Sequence, residues 1–140
     1  MTSFYWAALA AFVWGIVPIF EKAGLVRVAP MAGLFYRCAG VLLGLIILIL
    51  FVVKPEEIRS VDMRSAFLLV AGGFLASFIA QIFFYNALKG GSVSTVVPLS
   101  GSYPLIAFIL GVLLLGESFS IPKLIGMLLV VAGIWFLRLG

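Results

Sequence analysis

The chain has 140 residues, of which 65% are hydrophobic and 10% charged, whereas soluble domains run near 45–50% apolar and about 25% charged. So few charges cannot cover a water-facing surface of this size, which excludes an ordinary soluble domain and leaves hydrocarbon as the solvent. The formal charge of +4 arises from nine Lys and Arg scattered singly between apolar runs, a pattern that suits lipid headgroups and forms no nucleic-acid patch.

Five nearly uncharged runs follow one another at residues 2–20, 31–53, 65–88, 93–115 and 121–137. Each is long enough to cross a core of about 30 Å at 1.5 Å per residue. Backbone in lipid must be hydrogen-bonded within its own segment, and the runs lack the polar alternation of barrel strands, so they predict helices. The expected fold is an all-α, multi-pass protein of the cell membrane: five transmembrane helices in a single domain, residues 1–140. The connections at 21–30, 54–64, 89–92 and 116–120 leave no room for a soluble domain. Cys38 is the single cysteine and histidine is absent, which removes disulfide frameworks, Cys/His metal sites and histidine acid–base chemistry. No nucleophile–base pair or paired catalytic carboxylates occurs within the spans, so neither an enzyme nor a cofactor or metal site is expected.

In the first run Ala8-Leu9-Ala10 has the small-x-small form of a cleavage site. No basic residue precedes it and the apolar stretch continues beyond it, which argues against a signal peptide. Pro18 deprives the carbonyl of Trp14 of its helical partner, and in lipid that group must find another donor. Glu21 and Lys22 follow the run and read as interface residues.

The second run contains Arg37, the one charge well inside a span, at an insertion cost of about 2.5–3.5 kcal/mol at a bilayer centre. Gly33, Gly40 and Gly44 share its face, so a close helix contact is expected there. Arg37 reads either as an anion-binding residue or as a structural side chain reaching toward the interface.

The third run spaces Gly73, Ser77, Gln81, Tyr85 and Lys89 by four residues, which forms a slowly drifting stripe. Gln81 and Tyr85 are candidates to hydrogen-bond a ligand, with interhelical bonding as the structural alternative. Asn86 lies about 100° round from Tyr85 and is expected to cap or pack. Lys89-Gly90-Gly91-Ser92 reads as a helix stop followed by a cap.

In the fourth run Pro98 frees the carbonyl of Ser94 and Pro104 that of Ser100, with Ser102 and Tyr103 in the intervening turn. Such a kinked, polar-flanked segment can present backbone to a substrate near the midplane, or neighbouring hydroxyls can satisfy it. The fifth run starts at Ser120-Ile121-Pro122, with Pro in the first turn. Glu117 just before it reads as an interface residue.

Taken together, Trp14-Gly15, Pro18, Lys22, Arg37, Tyr85-x-Ala87-Leu88, Ser92, Pro98, Leu115-Gly116-Glu117, Gly126 and Gly133 resemble the EamA-type repeat of the drug/metabolite transporter superfamily over nearly the whole chain. The resemblance implies one half of a ten-helix transporter built from two inverted five-helix halves, moving amino acids, metabolites or drugs. It implies an architectural role for Glu117. In the four-helix small multidrug resistance relatives a glutamate sits in the middle of the first helix, where this chain has Trp14 and apolar neighbours.

The expected function is alternating-access transport of small metabolites by a dimer in the bilayer, the alternative being a non-transporting assembly or lipid-interacting subunit. Substrate contacts fall to Trp14, Pro18, Arg37, Gln81, Tyr85, Ser100, Tyr103 and Pro104. Five crossings place Lys54, Arg59, Arg64 and Lys123 on one side and Lys22, Arg27, Lys89 and Arg138 on the other. Four against four gives no orientation bias, so an antiparallel homodimer inserted in both orientations is expected.

Overall fold

The computed structural model describes residues 2–139, with side chains described as far as residue 137. Met1 and Gly140, the ends of the expected 1–140 domain, and the side chain of Arg138 in the charge balance lie outside the described residues. The described residues are helical throughout apart from short connections: α1 (Ser3–Leu25), α2 (Pro30–Phe51), α3 (Pro55–Arg59), α4 (Met63–Phe74), a π-helical turn (Leu75–Ile79), α5 (Ala80–Gly90), α6 (Val93–Ser100), α7 (Tyr103–Leu115) and α8 (Ile121–Leu139). Four stretches are long and apolar enough to cross a membrane, Ser3–Leu25, Pro30–Phe51, Met63–Gly90 and Val93–Leu115, and Ile121–Leu137 is a shorter apolar helix. The protein is an integral multi-pass membrane protein.

The first helix outlasts its uncharged run by five residues, carrying Glu21 and Lys22 inside α1. A charge limits a hydrophobic span but does not stop a helix. The helix ends at Leu25, and the chain is kept from running on into α2 by Pro30, which disfavours helical backbone in the residue before it; Ala29 is extended at φ −66, ψ 147 and Pro30 opens α2. The connection at 54–64 contains the unforeseen α3, begun by Pro55, with the Glu57 carboxylate accepting from the Lys54 N–H at 3.4 Å. Asp62 then caps α4 by accepting from the Ser65 N–H at 2.9 Å. The Ser65 side chain and backbone, bonding to this exposed carboxyl, hold it below the usual carboxylate range.

The chain divides into two compact units, Met1–Gly90 and Gly91–Gly140. In the first, α1, α2 and α5 pack on one another around buried Leu25, Leu34, Tyr85 and Leu88. The π turn bears on this packing, since the Ala80 N–H bonds to the Leu75 carbonyl, one residue further back than in an α-helix. An α-helical stripe at spacing four drifts by about 40° per step, and one absorbed residue removes about 100° of that drift. Ser77, Gln81 and Tyr85 thereby stay toward one side of the helix.

Gly33 meets its neighbours closely, because a Cβ there would lie 2.7 Å from Leu25 Cδ2 and 3.2 Å from Tyr85 Cε1. Gly40 and Gly44 do not share this contact, and a Cβ at either would meet nothing within 4 Å. The expected close face therefore exists at Gly33 alone, since α2 beyond residue 38 is exposed along its remaining length.

In the second unit, α8 packs on both α6 and α7. The fourth span is a broken helix: α6 ends at Ser100 and α7 begins at Tyr103. Pro104 consequently occupies the first turn of α7 instead of a helix interior, so the expected loss of a partner by the Ser100 carbonyl gives way to an ordinary helix start, where proline's missing N–H costs nothing. α7 ends at Gly116, whose left-handed φ of 67 suits glycine. The turn sends the Glu117 N–H onto the Gly111 carbonyl at 3.1 Å.

Candidate functional site

The polar residues of the first unit meet in one network near the C-terminal ends of α1 and α5. Glu21 on α1, Arg37 on α2 and Tyr85 on α5 come from three helices, and the Glu21 Oε1 atom receives both Arg37 Nε at 3.3 Å and the Tyr85 hydroxyl at 3.0 Å. Arg37 Nη1 donates at 3.1 Å to the Ser77 carbonyl, which belongs to the π turn. Such turns recur at functional sites because the widened backbone offers groups that a regular ladder conceals.

The interface reading of Glu21 is overturned: its side chain is 12% exposed against 24% for Arg37, so the carboxylate is a partner inside the bundle. An ionised group in a span persists where an opposite charge and hydrogen bonds replace its water. Arg37 meets that requirement with Glu21. A sequence signal was available, in that an arginine seven residues into a predicted span demands a counter-charge and Glu21 is the nearest acid on a neighbouring helix.

Tyr85 is 3% exposed and packs its ring edge over Gly33, with its hydroxyl engaged by Glu21. Gln81, one turn earlier, has its amide oxygen buried without a hydrogen-bond partner, which is costly unless a donor reaches it. Asn86 bonds its own helix, donating to the Ile82 carbonyl at 2.7 Å.

Beside this network the ends of α1 and α5 exchange caps. Lys22 of α1 donates to the Leu88 carbonyl at 2.6 Å and to that of Lys89 at 3.4 Å. Lys89 of α5 donates to the Leu25 carbonyl, and at 3.1 Å each to those of Val26 and Val28. Each ammonium thus serves carbonyls at or just past the other helix's end, where intrahelical donors run out and the negative end of the dipole lies. A small cleft of about 130 Å³ lies among Lys22, Leu25, Val26 and Lys89.

Of the other first-helix candidates, Pro18 is buried within α1 and Trp14 is 65% exposed. In the second unit the break between α6 and α7 is stitched by Ser102, whose hydroxyl and N–H both reach the Leu99 carbonyl, at 2.8 and 3.2 Å. Gly101 fits closely there, since a Cβ would fall 3.2 Å from the Pro98 carbonyl oxygen. Ser102, Pro104 and Leu105 face Pro122, Gly126 and Met127 across a cavity of about 220 Å³ with largely apolar walls, while Ser100 and Tyr103 are exposed. The Glu117 carboxylate folds back onto buried Gly111, its Oε2 lying 3.2 Å from where a Cβ would be. Among the described residues no group of three His, Cys, Asp or Glu is placed to hold a metal ion.

Residues 1–139 match the EamA-like transporter family. The chain belongs to that family. Transport, and not enzymatic chemistry, is the activity of EamA-like proteins, in agreement with the reading of the spans. An uncharacterized protein of Methanocaldococcus jannaschii is 31% identical over 134 residues, covering 94% of this EamA-like chain and 92% of that protein. An uncharacterized transporter of Clostridium kluyveri is 28% identical over 129 residues, covering 91% of this chain and 40% of its own length. A second, of Archaeoglobus fulgidus, is 23% identical over 128 residues, covering 91% of this chain and 45% of its own length. The chain therefore spans less than half of either transporter. No solved structure matches it significantly.

Proposed function

We propose that the chain works as a single domain, one half of an alternating-access transporter for small polar metabolites, completed by a second copy. The observation that carries this reading is the Glu21–Arg37–Tyr85 network: two helices hold opposite charges and a third a buried hydroxyl inside an apolar protein, and intramembrane charge marks a substrate or ion path more often than a mere scaffold. The broken fourth span adds irregular backbone of the kind transporters place at binding sites. In this reading Arg37, Gln81 and Tyr85 contact substrate directly, Tyr85 also setting the position of Glu21 until substrate arrives; Trp14 and Pro18 add lining from the first unit, and Ser100, Tyr103 and Pro104 from the second. Purified protein in liposomes is expected to exchange labelled amino acids or organic acids. Absence of uptake and exchange across a broad panel of amino acids, organic acids and sugar phosphates would favour a non-transporting assembly subunit.

The second copy is proposed to run antiparallel to the first, because Lys and Arg are balanced four against four across the bilayer and no loop is strongly cytoplasmic by charge. Single cysteines placed at the two ends in a Cys38→Ala background are expected to react with impermeant reagent from both faces of intact cells. Reaction of one end solely from outside establishes a fixed topology and excludes the antiparallel homodimer.

A further inference from the structure

We infer that Glu21 is a built-in occupant of a carboxylate site on Arg37, and that a carboxylate ligand binds by displacing it. The inference rests on Arg37 as the anion-binding residue of the transport reading and adds the ligand's chemical class and the residue that controls access.

The geometry of the pair is the starting point. Guanidinium–carboxylate pairs are strongest as two parallel bonds of about 2.7–2.9 Å. Here a single carboxylate oxygen, Glu21 Oε1, takes Arg37 Nε at 3.3 Å and shares itself with the Tyr85 hydroxyl. Neither Glu21 Oε2 nor Arg37 Nη2 has a partner among the described residues. The fork is thus half used, and what occupies it is a carboxylate held in a one-oxygen arrangement. A free carboxylate able to use Arg37 in bidentate fashion gains the bond that Glu21 leaves unmade.

The surroundings favour exchange over permanent pairing. Arg37 is fixed from the far side by its Nη1 bond to the Ser77 carbonyl, so releasing Glu21 does not release the guanidinium. Its side chain remains 24% exposed, which leaves an approach. The Tyr85 hydroxyl, whose partner is Glu21, turns to the incoming group and donates to it as it did to the glutamate. The site therefore offers a carboxylate-shaped set of donors, one cation and one hydroxyl, on two helices, with the competing carboxylate on a third.

Equilibrium dialysis of the detergent-purified full chain against labelled succinate, lactate and inorganic phosphate tests this. Glu21→Gln removes the competing charge and keeps an oxygen for Tyr85, and it is expected to tighten carboxylate binding by about tenfold or more. Arg37→Gln is expected to abolish binding in both the parent and the Glu21→Gln background. Should Glu21→Gln fold poorly, Arg37→Lys keeps the charge but cannot take a carboxylate in two parallel bonds, and it is expected to weaken lactate and succinate binding by about tenfold; affinity equal to the parent's overturns the proposal. Carboxylate binding by Glu21→Gln equal to or weaker than the parent's overturns the proposal, as does binding that survives Arg37→Gln or a preference for phosphate. Because the readout is equilibrium binding, these outcomes leave the transport reading standing if liposomes still exchange uncharged or cationic solutes. Loss of all exchange with carboxylate binding intact removes the transport reading alone.

Discussion

Glu21→Ala is expected to destabilise the first unit by about 3 kcal/mol, since truncating one partner of a largely buried ion pair strands the other charge. Arg37 would remain in the span with only the Ser77 carbonyl, and Tyr85 would lose its acceptor. The double variant Glu21→Leu with Arg37→Met should recover most of the loss, because matched apolar side chains remove the desolvation cost of both charges together. Thermal unfolding in detergent, followed by the fraction remaining monodisperse, measures both. A single variant as stable as the parent would mean that water already solvates Arg37 and that the pair contributes nothing to the bundle.

The second large effect is expected at Gly33. Its missing side chain admits Leu25 and Tyr85, both nearly fully buried, and neither has room to retreat. Gly33→Leu should therefore cost about 3 kcal/mol or prevent folding, at the upper end of overpacking penalties. Gly40→Leu should stay within about 0.5 kcal/mol in the monomer, as open-surface substitutions do, because no neighbour lies within 4 Å. The reversed order, Gly40 sensitive and Gly33 tolerant, would show that α2 presents its other face to the bundle.

These two glycines also mark how far the sequence could be read. The bilayer setting, the five apolar helices and the family resemblance were legible because they rest on composition and short motifs, which act locally. The start of the fourth span after Lys89-Gly90-Gly91-Ser92 and the start of the fifth at Pro122 were legible for the same reason. The partner of Arg37 is not legible in the run boundaries, because Glu21 lies just past an uncharged run, and the end of an uncharged run does not mark the end of a helix. A shared face on α2 was visible in the spacing of Gly33, Gly40 and Gly44, but spacing carries no information on how far along that face the neighbouring helices extend. The π turn at Leu75–Ile79 left no trace, since its residues are ordinary ones for a helix. The break after Ser100 was half visible: two prolines announced an irregularity, but only the fold assigns Pro104 to a new helix.

The exchanged lysine caps of α1 and α5 set a limit on motion. For α1 to slide past α5 by one helical turn, about 5.4 Å, the bonds from Lys22 and Lys89 to the opposing carbonyls would all have to break together. The two helices are in effect pinned at one end like the legs of a compass. Pivoting about that end remains open to them while axial slippage does not, so any opening of α1 against α5 is widest at the end remote from Lys22 and Lys89.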